Sequence, residues 1–176
     1  KMTGMSYSDA FQETCHRMHD IWKEETAARA PFMPMEPVTK EPRLYADYEG
    51  LVFYGEDLYA KKEGHETTPM IVRIEASGKE HQVTRLPYET SKLAVSERFG
   101  RLYWSERKED ERWSMKADSK VRYVNVNGSG KANLTNDKRL LFNPVPNSLG
   151  VEALTVQYNV EGGSSLTNIN LVSGGV

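Results

Sequence analysis

Short runs of strand-forming residues recur along this chain, and each run begins at a glycine. The runs start at Gly50, Gly100 and Gly150 and read GLVFYGE, GRLYWSE and GVEALTV, the third being looser than the others. A period of about fifty residues with several short strands in each unit is typical of a repeat array, in which no unit buries its apolar face alone. The pattern therefore predicts three similar units built from strands.

Each unit carries further strands in a constant order around its leading glycine. A short strand precedes the glycine, and an alternating strand closed by a glycine turn follows the run. The predicted strands of the three units are 43–46, 50–56, 70–74 and 83–86; 93–96, 100–106, 121–126 and 132–135; and 140–143, 150–156 and 166–171. Four antiparallel strands of this length make one propeller blade. The sequence thus predicts an all-β fold of about three consecutive four-stranded blades, at about 42–90, 91–139 and 140–176, with the last one incomplete.

The blade pattern resembles the TolB-type propeller repeat. In that family the first strand of a blade ends in a Pro-Asp-Gly-type turn, and residues 147–150 occupy this place here, with 98–100 and 47–50 as more divergent versions. The resemblance covers residues 42–176. It implies a propeller fold and leaves the function open, because propellers serve as enzymes, scaffolds and receptors alike.

A closer likeness lies in the second unit. Residues 100–106 and four residues after them resemble propeller segments of large cell-envelope proteins that join a zinc-peptidase-like domain to a TolB-like propeller. The four later residues are Asp110, Arg112, Trp113 and Ser119. The resemblance implies an envelope-associated, periplasmic parent protein. No His-Glu-x-x-His motif occurs in the chain, so zinc-peptidase chemistry is not carried over.

Composition narrows the classes of partner. The 176 residues carry a net charge of −2 with both signs interspersed, whereas a nucleic-acid-binding protein would need a basic face. No apolar run approaches the length of a membrane span. The single cysteine excludes an intrachain disulfide. We therefore expect a protein partner, which includes the rest of a longer parent chain, because both ends of the sequence read as internal positions.

The first thirty residues follow a helical pattern instead. Ser6 or Ser8 is suited to cap a helix, and an apolar stripe at helical spacing follows before Pro31 stops the helix. The stripe consists of Phe11, Cys15, Met18 and Trp22. Prolines at 34, 37 and 42 then favour an extended linker. We predict a helical segment at 1–33, a Pro-rich linker at 34–41 and blades over 42–176.

The histidines and the cysteine suggest a metal site, but their spacing does not support one. Cys15, His16 and His19 lie close together, but zinc sites usually need four ligands, and His65 and His81 are isolated. We therefore expect no metal and interpret Cys15 as a packed core thiol. The chain has no Gly-x-Ser-x-Gly elbow. The sequence thus predicts neither a catalytic residue nor a cofactor.

The connector between the second and third strands is long in two of the three units. It covers 57–69 and 107–120 in the first two and shrinks to about 161–165 in the third. Equivalent connectors of neighbouring blades emerge on the same face. The two long ones carry residue types that are enriched at interfaces or suited to them. The candidate interaction face therefore consists of Tyr59, His65, Arg112, Trp113 and Met115; the alternative for Trp113 is that it packs down its own loop.

Three functions fit this sequence. The favoured one is a non-catalytic propeller segment that acts as a docking scaffold in an envelope-associated protein. The second is an accessory propeller that controls substrate access in a peptidase-like parent enzyme. The third is a sugar- or peptide-binding module that uses the face formed by the long connectors.

Overall fold

The computed structural model describes residues 4, 6–29, 35–87, 89–109, 112, 117–135, 139–159 and 161–173. The chain divides into two compact units, residues 1–36 and 37–176.

One helix, α1 (Tyr7–Ala28), forms the first unit. Ser6 is its N-cap, because the Ser6 Oγ accepts a hydrogen bond from the Asp9 backbone nitrogen at 3.2 Å. Considered by itself, the helix leaves its apolar stripe exposed, with Phe11, Met18 and Trp22 between 56% and 61% accessible. Cys15 is also exposed. The interpretation of Cys15 as a packed core thiol is therefore wrong, since no described residue of this helix is buried.

The second unit consists of three antiparallel sheets, as the alternating strands predict. Every strand pairing among the described residues is antiparallel, and no helix lies in these parts of the second unit. The first sheet contains β1 (Ala46–Tyr54), β2 (Asp57–Gly64), β3 (Met70–Ile74) and β4 (Glu80–Arg85); the second contains β5 (Ala94–Ser96), β6 (Arg101–Glu109), β7 (Ala117–Asn125) and β8 (Ala132–Asn133); the third contains β9 (Leu140–Pro146), β10 (Glu152–Tyr158) and β11 (Ser164–Asn170). In each sheet the strands are neighbours in chain order.

The predicted position of Gly50 in a turn is wrong. Gly50 lies inside β1, where the pairing with β2 shifts between Glu49 and Val52 and leaves a bulge. The turn between the first two strands contains Gly55 instead, directly before β2. Gly100 and Gly150 do lie in the corresponding turns of the other sheets. The structural repeat therefore runs through Gly55, Gly100 and Gly150, and residues 57–64, assigned to a connector from the sequence, form a strand.

Apolar side chains fill the spaces between successive sheets. Between the first and second sheets, Tyr59 and Ile71 pack against Leu102 and Trp104, and all four are at most 2% exposed. Between the second and third sheets, the buried residues are Tyr103, Val121, Leu141, Ala153, Ile169 and Leu171. Because alternate residues of a strand point to opposite faces, neighbouring residues of β6 such as Tyr103 and Trp104 serve different interfaces. The second sheet is thus covered on both faces.

Candidate protein-interaction surface

The structure separates the residues of the predicted connector face. Tyr59 lies in β2, is 2% exposed and packs between the first and second sheets, so its predicted place in an exposed connector is wrong. His65 is exposed in the turn after β2, where its ring meets the Tyr45 ring edge-on, with the two ring centres 5.7 Å apart. Arg112 is exposed. Trp113 and Met115 lie outside the described residues. A role for His65, Arg112, Trp113 and Met115 in binding stays a prediction.

The third sheet presents a bare apolar face, and none of its residues belongs to the interaction face predicted from the sequence. Leu154 and Tyr158 on β10, Val145 on β9 and Leu166 on β11 are between 50% and 72% exposed. Their strand partners place them together, since Leu154 pairs with Val145 and Val156 pairs with Leu166. Alternation directs this face away from the second sheet, against which Ala153 and Ile169 are fully buried.

The exposure of this face contrasts with the equivalent face of the second sheet. Strands β7 and β11 end at Asn125 and Asn170, and Val121 and Leu166 each lie four residues before those ends. Val121 is 0% exposed because the third sheet covers it, whereas Leu166 is 72% exposed. The same position is therefore core in one sheet and surface in the next. Contiguous exposed apolar side chains of this kind mark interaction sites.

Polar groups at the interface between the first two sheets are paired with one another. The Trp104 Nε1 donates to the Glu106 Oε1 at 2.9 Å, and the Arg122 Nη1 lies 2.9 Å from the Glu106 Oε2. The Lys131 Nζ donates to the backbone oxygen of Arg85 at 2.7 Å and lies 5.6 Å from the centre of the Trp104 ring. Burial lowers the pKa of Lys131, partly opposed by Glu106. The Lys131–Arg85 bond links β4 to the residue before β8 and gives Lys131 a structural role, whereas the contacts of Glu106 lie within the second sheet.

A cleft of about 270 Å³ opens between the second and third sheets. The Arg101 guanidinium lies on its wall, 4.4 Å from the centre of the Tyr123 ring and 5.3 Å from that of Phe99. Behind it, burial raises the pKa of Tyr103, and the nearby Arg101 charge partly opposes that rise. The cleft is bounded on its far side by Leu171, Val172 and Ser173, at the end of the described chain.

A second polar cluster lies on the first sheet. The Tyr48 Oη and the Lys62 Nζ each donate to the Glu80 carboxylate at 2.5 Å. Burial alone would raise the pKa of Glu80, but these two hydrogen bonds outweigh it and hold that pKa below its usual 4.5. For Lys62, burial lowers the pKa and the bonds to Glu80 and Tyr48 more than compensate, so the pKa is raised. The cluster is an internally satisfied link between β1, β2 and β4.

The described residues do not form a metal-binding cluster. No group of three or more His, Cys, Asp or Glu side chains among them is arranged to hold a metal ion. Within the same part of the chain, no helix is both long enough and apolar enough to cross a membrane.

Comparison with known proteins supports the fold expected from the repeat. Solved structures similar to this chain include TolB from Acinetobacter baumannii (10% identity, TM-score 0.57), a structure from an analysis of two prolyl endopeptidases (13%, 0.54) and a puromycin-hydrolysing peptidase of Mycobacterium tuberculosis (15%, 0.52). The matches cover 73%, 73% and 76% of this chain. The resemblance to TolB-like propellers is thereby confirmed at the level of fold.

The chain spans less than a third of each of these structures, namely 31%, 19% and 24% of their lengths. No family model matches the sequence, and no curated protein matches it. At identities of 10–15% the likeness concerns the fold alone. It identifies the three sheets as a propeller-like segment and does not carry over an activity.

Proposed function

We propose that this chain is a non-catalytic propeller segment that acts as a protein-docking scaffold. The observation that carries the proposal is the bare apolar face of the third sheet, centred on Leu154 and Leu166. Buried equivalents of this face form the interfaces within the second unit, so the face has the shape and chemistry to receive another protein surface. The TolB-like fold favours an envelope-associated, periplasmic setting. The partner is a protein, which includes another part of the same parent.

A second function has its own support. Two of the similar structures named above come from peptidases, as their descriptions state. An accessory propeller that controls substrate access in a peptidase-like parent enzyme is therefore the alternative. It also assigns no catalytic residue to this chain, and it differs from the first function in requiring that the partner be a hydrolase. Identification of the partner therefore separates the two.

Site-specific photo-crosslinking in cells tests the docking function. A photoreactive residue placed at Leu154 should give one discrete crosslinked protein, identified by mass spectrometry, and Val145→Glu should abolish it by putting a charge on the same face. The same reagent at His65 serves as the comparison site. Crosslinks from His65 alone would move docking to the predicted connector face. The absence of any discrete product from both positions would contradict a docking function.

A further inference from the structure

The third sheet differs from the other two in its outer edge. Among the described residues, the first and second sheets have four strands, while the third has three and ends at β11. β11 pairs on one side with β10 in unbroken register from Glu152↔Asn170 to Tyr158↔Ser164. Its other edge has no pairing among the residues that the structure describes. An edge of this kind offers a row of backbone donors and acceptors to another strand.

The edge of β11 has none of the features that usually prevent pairing. Natural edge strands carry lysines, prolines, bulges or inward-pointing charges that block another strand. β11 reads SSLTNIN, with no charged residue and no proline. Its seven residues are all paired regularly on the β10 side, so the strand is held extended for pairing on the other side.

The other two sheets show what such an edge receives. β4 and β8 pair antiparallel with β3 and β7, and each is followed by a leucine, Leu86 or Leu134. The backbone nitrogens of these leucines donate at 2.8 Å to Pro69 and Val121, on the third-strand side of each sheet. Their side chains pack in the core between that sheet and the next. A fourth strand thus brings a leucine onto the face turned to the following sheet.

The same arrangement at β11 would place a leucine over the bare face of the third sheet. The Val121 oxygen accepts from Leu134, so the backbone groups of Val121 and Tyr123 point towards β8. When β7 and β11 are aligned at their last residues, Leu166 of β11 corresponds to Val121 of β7, and Asn168 corresponds to Tyr123. Their backbone groups therefore point to the open edge, next to the exposed Leu166 side chain.

We propose that the β11 edge binds an extended protein segment as a fourth antiparallel strand, with an aliphatic residue placed over Leu166. The segment has the character of β4 or β8: short, β-forming and followed by leucine. This inference rests on the proposed docking function and specifies how a partner engages. Main-chain hydrogen bonds supply affinity in this mode of recognition, and the side-chain contact supplies specificity.

The test uses the whole chain and a synthetic peptide of residues 79–87, which contains β4 and Leu86. Amide chemical shifts in NMR should change on titration for Leu166, Asn168 and Asn170. Asn168→Pro removes one edge N–H while sparing the bonds to β10, and proline is tolerated at such edge positions. Leu166→Lys removes the apolar contact. Each should weaken peptide binding at least tenfold, as should Leu86→Asp in the peptide.

Leu149→Lys is the matched control, because Leu149 is 62% exposed on the same sheet but lies in the β9–β10 turn. It should leave peptide binding within twofold of the unchanged chain, as measured by the same titration. Absence of binding at the highest soluble peptide concentration, or equal binding by Asn168→Pro, overturns the proposal. So does a dimer, seen by sedimentation, that Asn168→Pro dissociates, because a second copy would then occupy the edge. Crosslinking at Leu154 that persists after such a failure would leave docking standing and remove only the strand mode.

Discussion

At the scale of single residues, two turn glycines are required for different reasons, one for its backbone conformation alone and the other also for close packing against the neighbouring sheet. Gly55 and Gly150 have φ angles of 60° and 70°, which side-chain-bearing residues rarely adopt. A Cβ at Gly150 would lie 2.6 Å from the Ser96 Oγ of the preceding sheet, whereas a Cβ at Gly55 would meet nothing within 4 Å. Gly55→Ala should therefore cost about 1 kcal/mol of unfolding free energy, and Gly150→Ala about 2–3 kcal/mol.

Urea unfolding of the two variants measures this difference. The pair is matched in conformation and differs in the neighbouring sheet, so the excess cost at Gly150 reports on contact between sheets. Equal costs for the two substitutions would show that backbone conformation alone requires glycine in these turns.

The Glu80 carboxylate should make the unfolding free energy depend on pH. The hydrogen bonds from Tyr48 and Lys62 hold its folded pKa below the usual 4.5, so the unfolded chain binds the proton more readily. Its stabilisation is then fully present above the unfolded pKa and is lost as pH falls through the folded pKa. Glu80→Gln should cost on the order of 1 kcal/mol at neutral pH, and this difference should shrink towards zero as the pH falls below the folded pKa.

Unfolding free energies measured across that pH range check the prediction. Glu49→Gln is the control, because the Glu49 side chain is 60% exposed and its Oε2 lies 3.4 Å from the Lys61 Nζ, in a longer ion pair. It should change stability little at any pH. A difference between Glu80→Gln and the unchanged chain that stays constant with pH would argue against the linkage.

At the scale of elements, the helix start can be tested directly. The sequence allows Ser6 or Ser8 as the cap, and the structure places Ser6 there, with its Oγ also donating to the Asp9 Oδ2 at 2.7 Å. Ser6→Ala should cost about 1 kcal/mol of helix stability, while Ser8→Ala inside the first turn should cost much less. Hydrogen exchange at the Asp9 amide measures this, and a larger effect from Ser8→Ala would move the helix start.

Elements with clear alternation were predictable, and those with mixed signals were not. The sequences of β3, β7 and β11 alternate, glycine-containing turns follow β3 and β7, and the structure contains strands at all three places. The predicted second strand at 50–56 places residues 57–69, with the charged run Lys61, Lys62 and Glu63, in a connector. Those long side chains belong to a strand whose Tyr59 and Ala60 are buried on opposite faces. The signal that could have located it is the two-residue loop at Gly55, directly before Asp57.

The candidate surface was less predictable than the fold, and the reason lies in neighbours. Leu166 and Val121 are both aliphatic residues at the same place in a strand, so the pattern of a single strand does not distinguish the core residue from the surface residue. What separates them is whether a further sheet lies against them. Exposure in a repeat array is a property of position in the array, and single-strand patterns do not carry it.

At the scale of the whole second unit, stability should follow the order of the sheets. The second sheet is covered on both faces, while the third has a bare face and an open edge among the described residues. In an array of repeats, stability is a sum of terms for each unit and its nearest neighbours. The third sheet should therefore unfold before the other two. Loss of its single interface with the second sheet should unfold the third sheet without unfolding the others.

Leu141→Ala and Leu102→Ala test this order. Both leucines are 0% exposed; Leu141 packs between the second and third sheets and Leu102 between the first and second. Each truncation should cost about 2–5 kcal/mol where it acts. In native-state hydrogen exchange, Leu141→Ala should strip protection from β10 and β11 while β2 and β3 keep theirs, because the interface of the first sheet is intact. Leu102→Ala should instead lower protection in β2, β3 and β6 together. Equal loss of protection in all three sheets from either substitution would mean that the unit unfolds as one cooperative body, and the nearest-neighbour description would then fail.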